Sequence, residues 1–324
     1  MKILVNASNI HTGGGKVILN DFISATNKFE EVKFIIYVDS RFENHDYIPK
    51  NVVLIKIEKK QRIFVYYLIE RQSNIIDIVV YFTNIPPILK HKCKTILVQS
   101  NRFVIDKYSL SGFSPKTKLR IKVERFMFWL NKNNVDFIVV QSESMSCVLQ
   151  NRGYLRDKIK IVAYIDNQTA THKFHDIHSN SKECFLYVSS DDPHKNHKTL
   201  IESWCLLAEE NIYPKLIITI EKKTKLYKYI ENMIREFNLN IEIKSKLQRT
   251  EILELYSQST ALIFPSFFES YGLPLVEAIQ HGLPVLASEL DYVRDILDPV
   301  ETFDPNSAKS ISRSVKRFLK IKGD

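Results

Sequence analysis

The stretch TALIFPSFFESYGLPLVEAIQHGLPVLAS, residues 260–288, has the order of a strand, a loop, a helix and a second strand. Its apolar run Ala261–Phe264 is short enough for a buried strand. Pro274 suits the first helical position, where its missing N–H costs nothing, and Gly282 predicts a left-handed cap at the helix end. The run Val285–Ala287 predicts the next strand. This order is one unit of a parallel α/β sheet, in which ligands bind beyond the carboxyl ends of the strands.

Two carboxylates flank the start of the predicted helix. Glu269 lies in the loop and Glu277 lies about one turn into the helix, with seven residues between them. The first N–H groups of a helix have no partner within it and attract phosphate. Because carboxylates repel phosphate, we expect them to contact hydroxyl groups on either side of it, as in a nucleotide-sugar. Taken alone, either glutamate is better explained by an ordinary helix start, where the dipole favours acidic residues.

The eleven residues FESYGLPLVEA, from Phe268 to Ala278, resemble the E-x7-E signature of retaining GT-B glycosyltransferases of the family 4 (group 1) type. This resemblance implies an α/β fold with two Rossmann-like parallel-sheet domains facing a cleft. It also implies retaining transfer of a sugar from a nucleotide-sugar to a saccharide or lipid-linked saccharide, in cell-surface polysaccharide synthesis of the O-antigen or capsule type. The resemblance is strongest over residues 183–306 and thin over 1–165.

The resemblance also implies roles for individual residues. Glu269 would hold hydroxyls of the donor sugar, and Lys195, after the predicted strand Cys184–Val188, would bind the diphosphate; these two are the catalytic candidates. The donor-binding candidates are Glu277 (for the ribose), Gly272, Leu273, Tyr271 and Ser190.

The chain departs from the family pattern at Ser190, where relatives commonly carry an arginine. Arg249 is a candidate replacement for that positive charge. Since Lys195 and helix amides can stabilise the departing diphosphate, and the chain has no D-x-D motif, no metal cofactor is expected.

A glycine run follows the first predicted strand, Lys2–Ala7. The family carries a similar glycine loop facing donor phosphate or acceptor, so the acceptor or phosphate loop is predicted to contain Gly13, Gly14 and Gly15. A tight turn that needs positive φ is the alternative for any single glycine. Near the predicted strand 95–98 many relatives place a histidine, where this chain has Ser100, Asn101 and Arg102. Asn101 and Arg102 complete the acceptor-side candidates.

A nicotinamide-dependent oxidoreductase is an alternative favoured by the same glycine run and by Asp39, which ends a predicted strand where a ribose-binding acid would lie. The third glycine of the dinucleotide fingerprint is absent, because Ile18 occupies that position. A P-loop is excluded because the chain has Ile10 and Val17 at positions that need glycine and a hydroxyl residue.

The chain has 324 residues, 44% of them hydrophobic and 26% charged, which favours two soluble domains. They are predicted as an acceptor-side domain over 1–165, a connection over 166–182, a donor-binding domain over 183–306 and an amphipathic helix over 307–324. No stretch is long enough to span a membrane, and the N-terminal apolar run is too short for a signal peptide. A cytoplasmic location is therefore expected. The four widely spaced cysteines predict neither a disulfide framework nor a zinc site.

The histidines at 172, 175 and 178 lie in the predicted connection, where a solvated linker is favoured over a metal site. The net charge of +9 suits an anionic ligand, an anionic membrane surface or nucleic acid. A nucleic-acid-binding protein is a second alternative, but no nucleic-acid motif is present and the cations are spread along helices.

A basic amphipathic helix is predicted over 116–132. One face has Leu119, Val123, Phe126 and Leu130, and another has Lys118, Lys122 and Arg125. The favoured interpretation is a packed helix with solvated cations, and peripheral contact with an anionic membrane is the alternative. The tail over 308–322 has the same two alternatives.

Overall fold

The computed structural model describes residues 1–11, 13–43, 47–163 and 183–320. It divides into two compact units: one is Met1–Leu110 with Ser114–Ala163, and the other is Ser111–Phe113 with Tyr164–Asp324. The predicted connection over 166–182, with its three histidines, lies outside the described residues. Within the described residues, no helix is long and apolar enough to span a membrane.

The first domain is a parallel sheet with helices between its strands. Its strands are β1 Lys2–Ala7, β2 Lys33–Asp39, β3 Val52–Ile57, β4 Ile78–Tyr81, β5 Lys94–Val98, β6 Phe137–Val140 and β7 Ile159–Ile161. Its helices are α1 Gly13–Ala25, α2 Arg62–Gln72, α3 Arg102–Ile105, α4 Pro115–Leu130 and α5 Glu143–Gln150. The strand order is β3-β2-β1-β4-β5-β6-β7 among the described residues. Leu4 and Val5 of β1 lie in separate apolar clusters, because successive strand side chains point to opposite faces.

The second domain repeats this plan. Its strands are β8 Cys184–Val188, β9 Lys215–Thr219, β10 Ile241–Lys244, β11 Ala261–Phe264, β12 Val285–Ser288 and β13 Glu301–Phe303. Its helices are α6 His197–Glu209, α7 Lys225–Phe237, α8 Arg249–Gln258, α9 Leu273–Gln280, α10 Asp291–Arg294 and α11 Ala308–Phe318. The described strands are ordered β10-β9-β8-β11-β12-β13 and pair in parallel. Two βα crossovers leave in opposite directions between β8 and β11, which is where such sheets bind ligands.

The stretch 260–288 folds as predicted, into β11, α9 and β12. All four residues of β11 are buried, as expected for a parallel strand covered on both faces. Gly282 has φ +65° just after α9, which confirms the left-handed cap.

The predicted glycine loop differs from the structure, because α1 begins at Gly13 and includes all three glycines. The first turn of α1 therefore contains Gly13, Gly14 and Gly15. The N–H groups of a first turn have no partner within the helix. Only Gly13 among these three has positive φ, so the tight-turn explanation does not apply to Gly14 and Gly15.

The prediction that the apolar stripe of α4 packs against the domain is wrong. Its apolar stripe is exposed by 52–64% at each of four positions, Leu119, Val123, Phe126 and Leu130. Ile121 and Phe128 are the buried side chains. Arg125 does not belong to a solvated cationic face either, since it donates to the carbonyl oxygens of Phe103 (2.8 Å) and Tyr108 (3.0 Å). Burial lowers the pKa of this guanidinium.

The C-terminal helix α11 is part of the second domain. Ile311 and Val315, its apolar face, are fully buried, and the Phe318 ring meets Phe185 edge to face at 5.7 Å between centroids. Lys316 pairs with Glu210 at 2.6 Å. The apolar face that would be needed for membrane contact is therefore covered.

Candidate active site

Lys195 and Glu269 meet between the loops that follow β8 and β11. The Lys195 ammonium lies 2.6 Å from Oε1 of Glu269. Their side chains are 15% and 11% exposed, so solvent screens the pair only weakly. The two strands are neighbours at the sheet's switch point. The residues predicted as catalytic from separate parts of the sequence are thus in direct contact.

Hydrogen bonds from buried side chains fix the backbone at Lys195 and at the next residue. The buried Tyr187 hydroxyl donates to its carbonyl oxygen at 2.6 Å and lies 3.1 Å from Oγ of Ser266. Asn196 follows in the left-handed conformation, with φ 60°. Its side-chain amide donates to the carbonyl oxygens of Pro265 (3.1 Å) and Pro305 (2.7 Å). These bonds join the lysine loop to the loop that carries Glu269, so the two loops form one support.

The helix α9 starts directly after this support. Gly272 precedes it with φ +85°, a region that side chains with a Cβ adopt only at a cost. A Cβ built there would approach Cδ1 of Leu275 to 3.1 Å. Tyr271 is buried beside this turn. The amides of Gly272 and Leu273 are at the start of α9, where helix N–H groups can bind an anion. Their role toward a phosphate stays a prediction.

Glu277 is buried within α9 and is held by two side chains of α8. Arg249 contacts its Oε1, and the Tyr256 hydroxyl donates to Oε2 at 2.7 Å. Burial, followed by the negative charge of Glu277, raises the pKa of Tyr256. Arg249 is 47% exposed, so part of its guanidinium faces solvent. Arg249, the predicted replacement for the family's arginine, is thus paired with Glu277.

Sequence analysis did not identify Tyr256. Arg249 and Tyr256 are seven residues apart, or two helical turns, and so share one face of α8. That spacing was the available signal.

Ser190, the position of the family's arginine, has a local contact. Its hydroxyl donates to Oδ2 of Asp192 at 2.7 Å on an exposed part of the loop.

His197 lies buried at the start of α6, behind the lysine loop. Its Nε2 is 3.0 Å from Oγ of Ser189. Burial, helped by the positive charge of Lys195, lowers the pKa of His197 to about 3. Burial also lowers the pKa of His194. The imidazole of His197 is therefore neutral at physiological pH and adds no charge to the site.

The acceptor-side candidates lie in the first domain, where Asn101 and Arg102 each make a hydrogen bond within or next to α3. Asn101 caps α3, with its side-chain oxygen accepting from the Phe103 amide at 3.1 Å. Arg102 donates to Asp106 at 3.0 Å. The glycines of α1 follow β1, which neighbours β4 at the switch point of this sheet. Their roles toward an acceptor stay predictions.

Asp39 is already neutralised by two arginines. Its carboxylate accepts from Arg41 at 2.8 and 3.0 Å and also contacts Arg62. The Arg41 hydrogen bonds, ahead of the Arg62 contacts, hold the pKa of this carboxyl well below its usual range. The acid on which the oxidoreductase alternative depends is therefore already paired with two arginines.

The described residues contain no group of three or more His, Cys, Asp or Glu arranged to hold a metal ion.

Comparison with known proteins adds to this geometry. Residues 168–323 match the family model of glycosyl transferases group 1. A curated relative supports a group 1 glycosyltransferase: the O-antigen chain mannosyltransferase B of Escherichia coli is 27% identical over 139 residues. The matched part is 41% of this chain and 36% of that protein.

Solved glycosyltransferase structures cover nearly the whole chain. WaaG, a glycosyltransferase involved in lipopolysaccharide biosynthesis, has a TM-score of 0.70 at 16% identity, covering 99% of this chain and 90% of that one. HepE of Anabaena, in complex with UDP and glucose, has a TM-score of 0.69 at 15% identity with the same coverage. These likenesses confirm the predicted fold of two Rossmann-like parallel-sheet domains, as in GT-B glycosyltransferases.

Proposed function

We propose that this chain transfers a hexosyl group from a nucleotide-sugar to a saccharide or lipid-linked saccharide acceptor, with retention at the anomeric carbon. The observation that carries the proposal is the Lys195–Glu269 pair. Glu269 lies just before α9 in the sequence, and α9 carries Glu277. The name of the mannosyltransferase relative supports O-antigen-type polysaccharide biosynthesis, and the neighbour bound to UDP and glucose supports a nucleotide-sugar donor.

The site offers a partner for each part of such a donor. Glu277 accepts hydrogen bonds from the ribose hydroxyls, and Glu269 accepts them from the hydroxyls of the sugar. The amides of Gly272 and Leu273, with Lys195, contact the diphosphate between them.

Catalysis follows from the charge that develops on the diphosphate. The oxygen of the acceptor hydroxyl bonds to the anomeric carbon from the side of the leaving group while the bond to the diphosphate oxygen breaks. The electron pair of the broken bond stays with the diphosphate, which takes up the proton of the acceptor hydroxyl. Donors that are already oriented toward this oxygen stabilise the transition state, and one such donor is worth on the order of 10²–10³ in rate. Lys195 and the amides supply that positive charge, so the proposed transfer needs no divalent metal.

A donor screen tests the proposal. Thermal shift with UDP-glucose, GDP-mannose and other nucleotide-sugars identifies the ligand, since saturation at 100 times Kd adds about 2.7 kcal/mol to stability. Acceptor-dependent release of the nucleoside diphosphate then measures transfer, and NMR of the product reports the anomeric configuration. If no nucleotide-sugar binds or reacts, the proposal is wrong; an inverted product would overturn retention alone.

Metal independence is tested with the same assay. We expect full turnover in the presence of EDTA. Loss of turnover that manganese or magnesium restores would contradict this part of the proposal.

The proposal also includes peripheral association with an anionic membrane, and α4 is the helix that makes the contact. The exposed stripe of this helix, formed by Leu119, Val123, Phe126 and Leu130, is bordered by Trp129 and by Lys118 and Lys122. Apolar residues flanked by lysines suit the headgroup region of an anionic bilayer. Such contact would hold the enzyme at the surface where a lipid-linked acceptor is embedded.

A further inference from the structure

The Lys195–Glu269 pair affects which ligand the site selects, if the two residues have the roles that the proposed function gives them. In the structure, the lysine that would bind diphosphate is held by the carboxylate that would bind sugar, at 2.6 Å. Charged groups that are mostly removed from water need a partner of opposite charge. A diphosphate therefore has to compete with Glu269 for Lys195.

We propose that Glu269 makes the site selective for the nucleotide-sugar over the bare nucleoside diphosphate, by competing for Lys195. A bound nucleotide-sugar draws Lys195 to its diphosphate, and its sugar hydroxyls then hydrogen-bond the carboxylate that Lys195 has left. A bare nucleoside diphosphate offers no such hydroxyls. Glu269 would lose the lysine charge in a place with little solvent, so the exchange is opposed.

The mobility that this exchange needs is confined to the side chain of Lys195. Its carbonyl oxygen is held by Tyr187, and the next residue, Asn196, is tied to two further backbone carbonyls. The loop therefore stays in place while the four-carbon side chain reorients from Glu269 toward the amides at the start of α9. The product nucleotide loses the sugar that stabilised this arrangement, so its release is favoured after transfer.

Glu277 provides a matched comparison within the same site. Its charge is balanced by Arg249 and by the Tyr256 hydroxyl, and Lys195 pairs with the other glutamate. Neutralising Glu277 removes a ribose contact without releasing Lys195. Neutralising Glu269 releases Lys195 and leaves the ribose contact intact. The same substitution at the two glutamates should therefore change nucleotide affinity in opposite directions.

Calorimetry with the nucleoside diphosphate and the nucleotide-sugar that the donor screen identifies tests the inference. We expect Glu269→Gln to bind the bare nucleoside diphosphate about 10-fold more tightly than the wild type, a difference of about 1.4 kcal/mol. Its affinity for the nucleotide-sugar should not rise, so the selectivity between the two ligands falls. Glu277→Gln should bind both ligands more weakly.

A double-mutant cycle with Lys195→Met identifies the cause, because contacting residues show coupling that independent sites lack. The gain of Glu269→Gln should vanish when Lys195 is already replaced. If Glu269→Gln does not fold, Glu269→Asp replaces it, since the shorter acid reaches Lys195 less well; a smaller gain in nucleoside diphosphate affinity is then expected.

Two results would overturn the inference while the proposed function stands. One is a wild type that transfers sugar but binds the nucleoside diphosphate no more weakly than the Glu269 variants do. The other is a gain that persists in the Lys195→Met background. By contrast, a wild type that binds and turns over no nucleotide-sugar would remove the proposed function itself.

Discussion

At the scale of single residues, Lys195 carries the sharpest expectation about rate. If its ammonium meets the diphosphate as negative charge develops, Lys195→Ala should lower kcat by at least ~10²-fold and change KM less. Lys195→Arg should not restore the rate, because a planar guanidinium does not replace a compact ammonium between two tied loops.

Steady-state kinetics of the two variants measure this expectation. Lys198→Ala is the control, since it removes an exposed lysine three residues away whose nitrogen lies over the Tyr229 ring. A folded Lys195→Ala variant with near-normal turnover would show that Lys195 is only a residue of the loop.

His197 is expected to make the protein sensitive to acid. Its folded pKa of about 3 lies below the ordinary histidine value of 6.5, so between these pH values the unfolded chain binds a proton that the folded chain does not. The free energy of unfolding then falls as pH falls, by about 1.4 kcal/mol per pH unit from one such group.

Urea unfolding of the wild type and of His197→Gln from pH 7 to pH 4 isolates this contribution. The variant keeps a polar group near Ser189 but cannot take up the proton. We expect a shallower loss of stability with acid in the variant, whatever its stability at pH 7. Parallel curves for the two proteins would contradict the buried neutral imidazole.

At the scale of secondary-structure elements, the start of α9 depends on Gly272. With φ +85° and a side chain at 3.1 Å from a built Cβ, Gly272→Ala forces strain worth about 1–2 kcal/mol. A shifted turn also moves the first amides of α9, so nucleotide affinity should fall as well. Thermal unfolding and calorimetry measure the two effects.

Gly15→Ala is the matched control for stability. Its φ is not positive, and its Cβ would meet Ile10 at 3.6 Å, an ordinary contact. Since alanine favours a helix over glycine, this variant should unfold at an equal or higher temperature. Equal melting temperatures for Gly272→Ala and the wild type would mean that the turn relaxes without strain.

An element could be predicted from the sequence where the residues that determine it lie within a few positions of one another. The unit over 260–288 was predicted because a short apolar run, a proline and a glycine each act within a few residues. The partners of Glu277 were not predicted, because Arg249 and Tyr256 reach it from another helix through tertiary packing. In α4 the helix was predicted but its buried face was not. The periodicity of apolar residues identifies a stripe on a helix, but it does not determine whether that stripe packs against the sheet or faces solvent.

At the scale of the whole molecule, the charge of +9 and the exposed stripe of α4 predict reversible binding to anionic bilayers. Lysines near an anionic surface contribute about 1 kcal/mol each, and salt weakens this attraction. The protein should therefore sediment with vesicles of phosphatidylcholine and phosphatidylglycerol at low salt, and less so at high salt or with phosphatidylcholine alone.

Variants separate α4 from the general positive charge. Replacing Lys118 and Lys122 by glutamate, or Phe126 and Trp129 by serine, should each reduce vesicle binding, because the bilayer contact combines charge with apolar insertion. Replacing Lys309 and Arg313 by glutamate is the control: it makes the same change in net charge at two exposed cations of α11, whose apolar face is buried. If the control lowers binding as much as the lysine variant does, net charge alone draws the protein to vesicles. If none of the proteins binds at low salt, α4 has no membrane role, and acceptor access must then be explained without the bilayer.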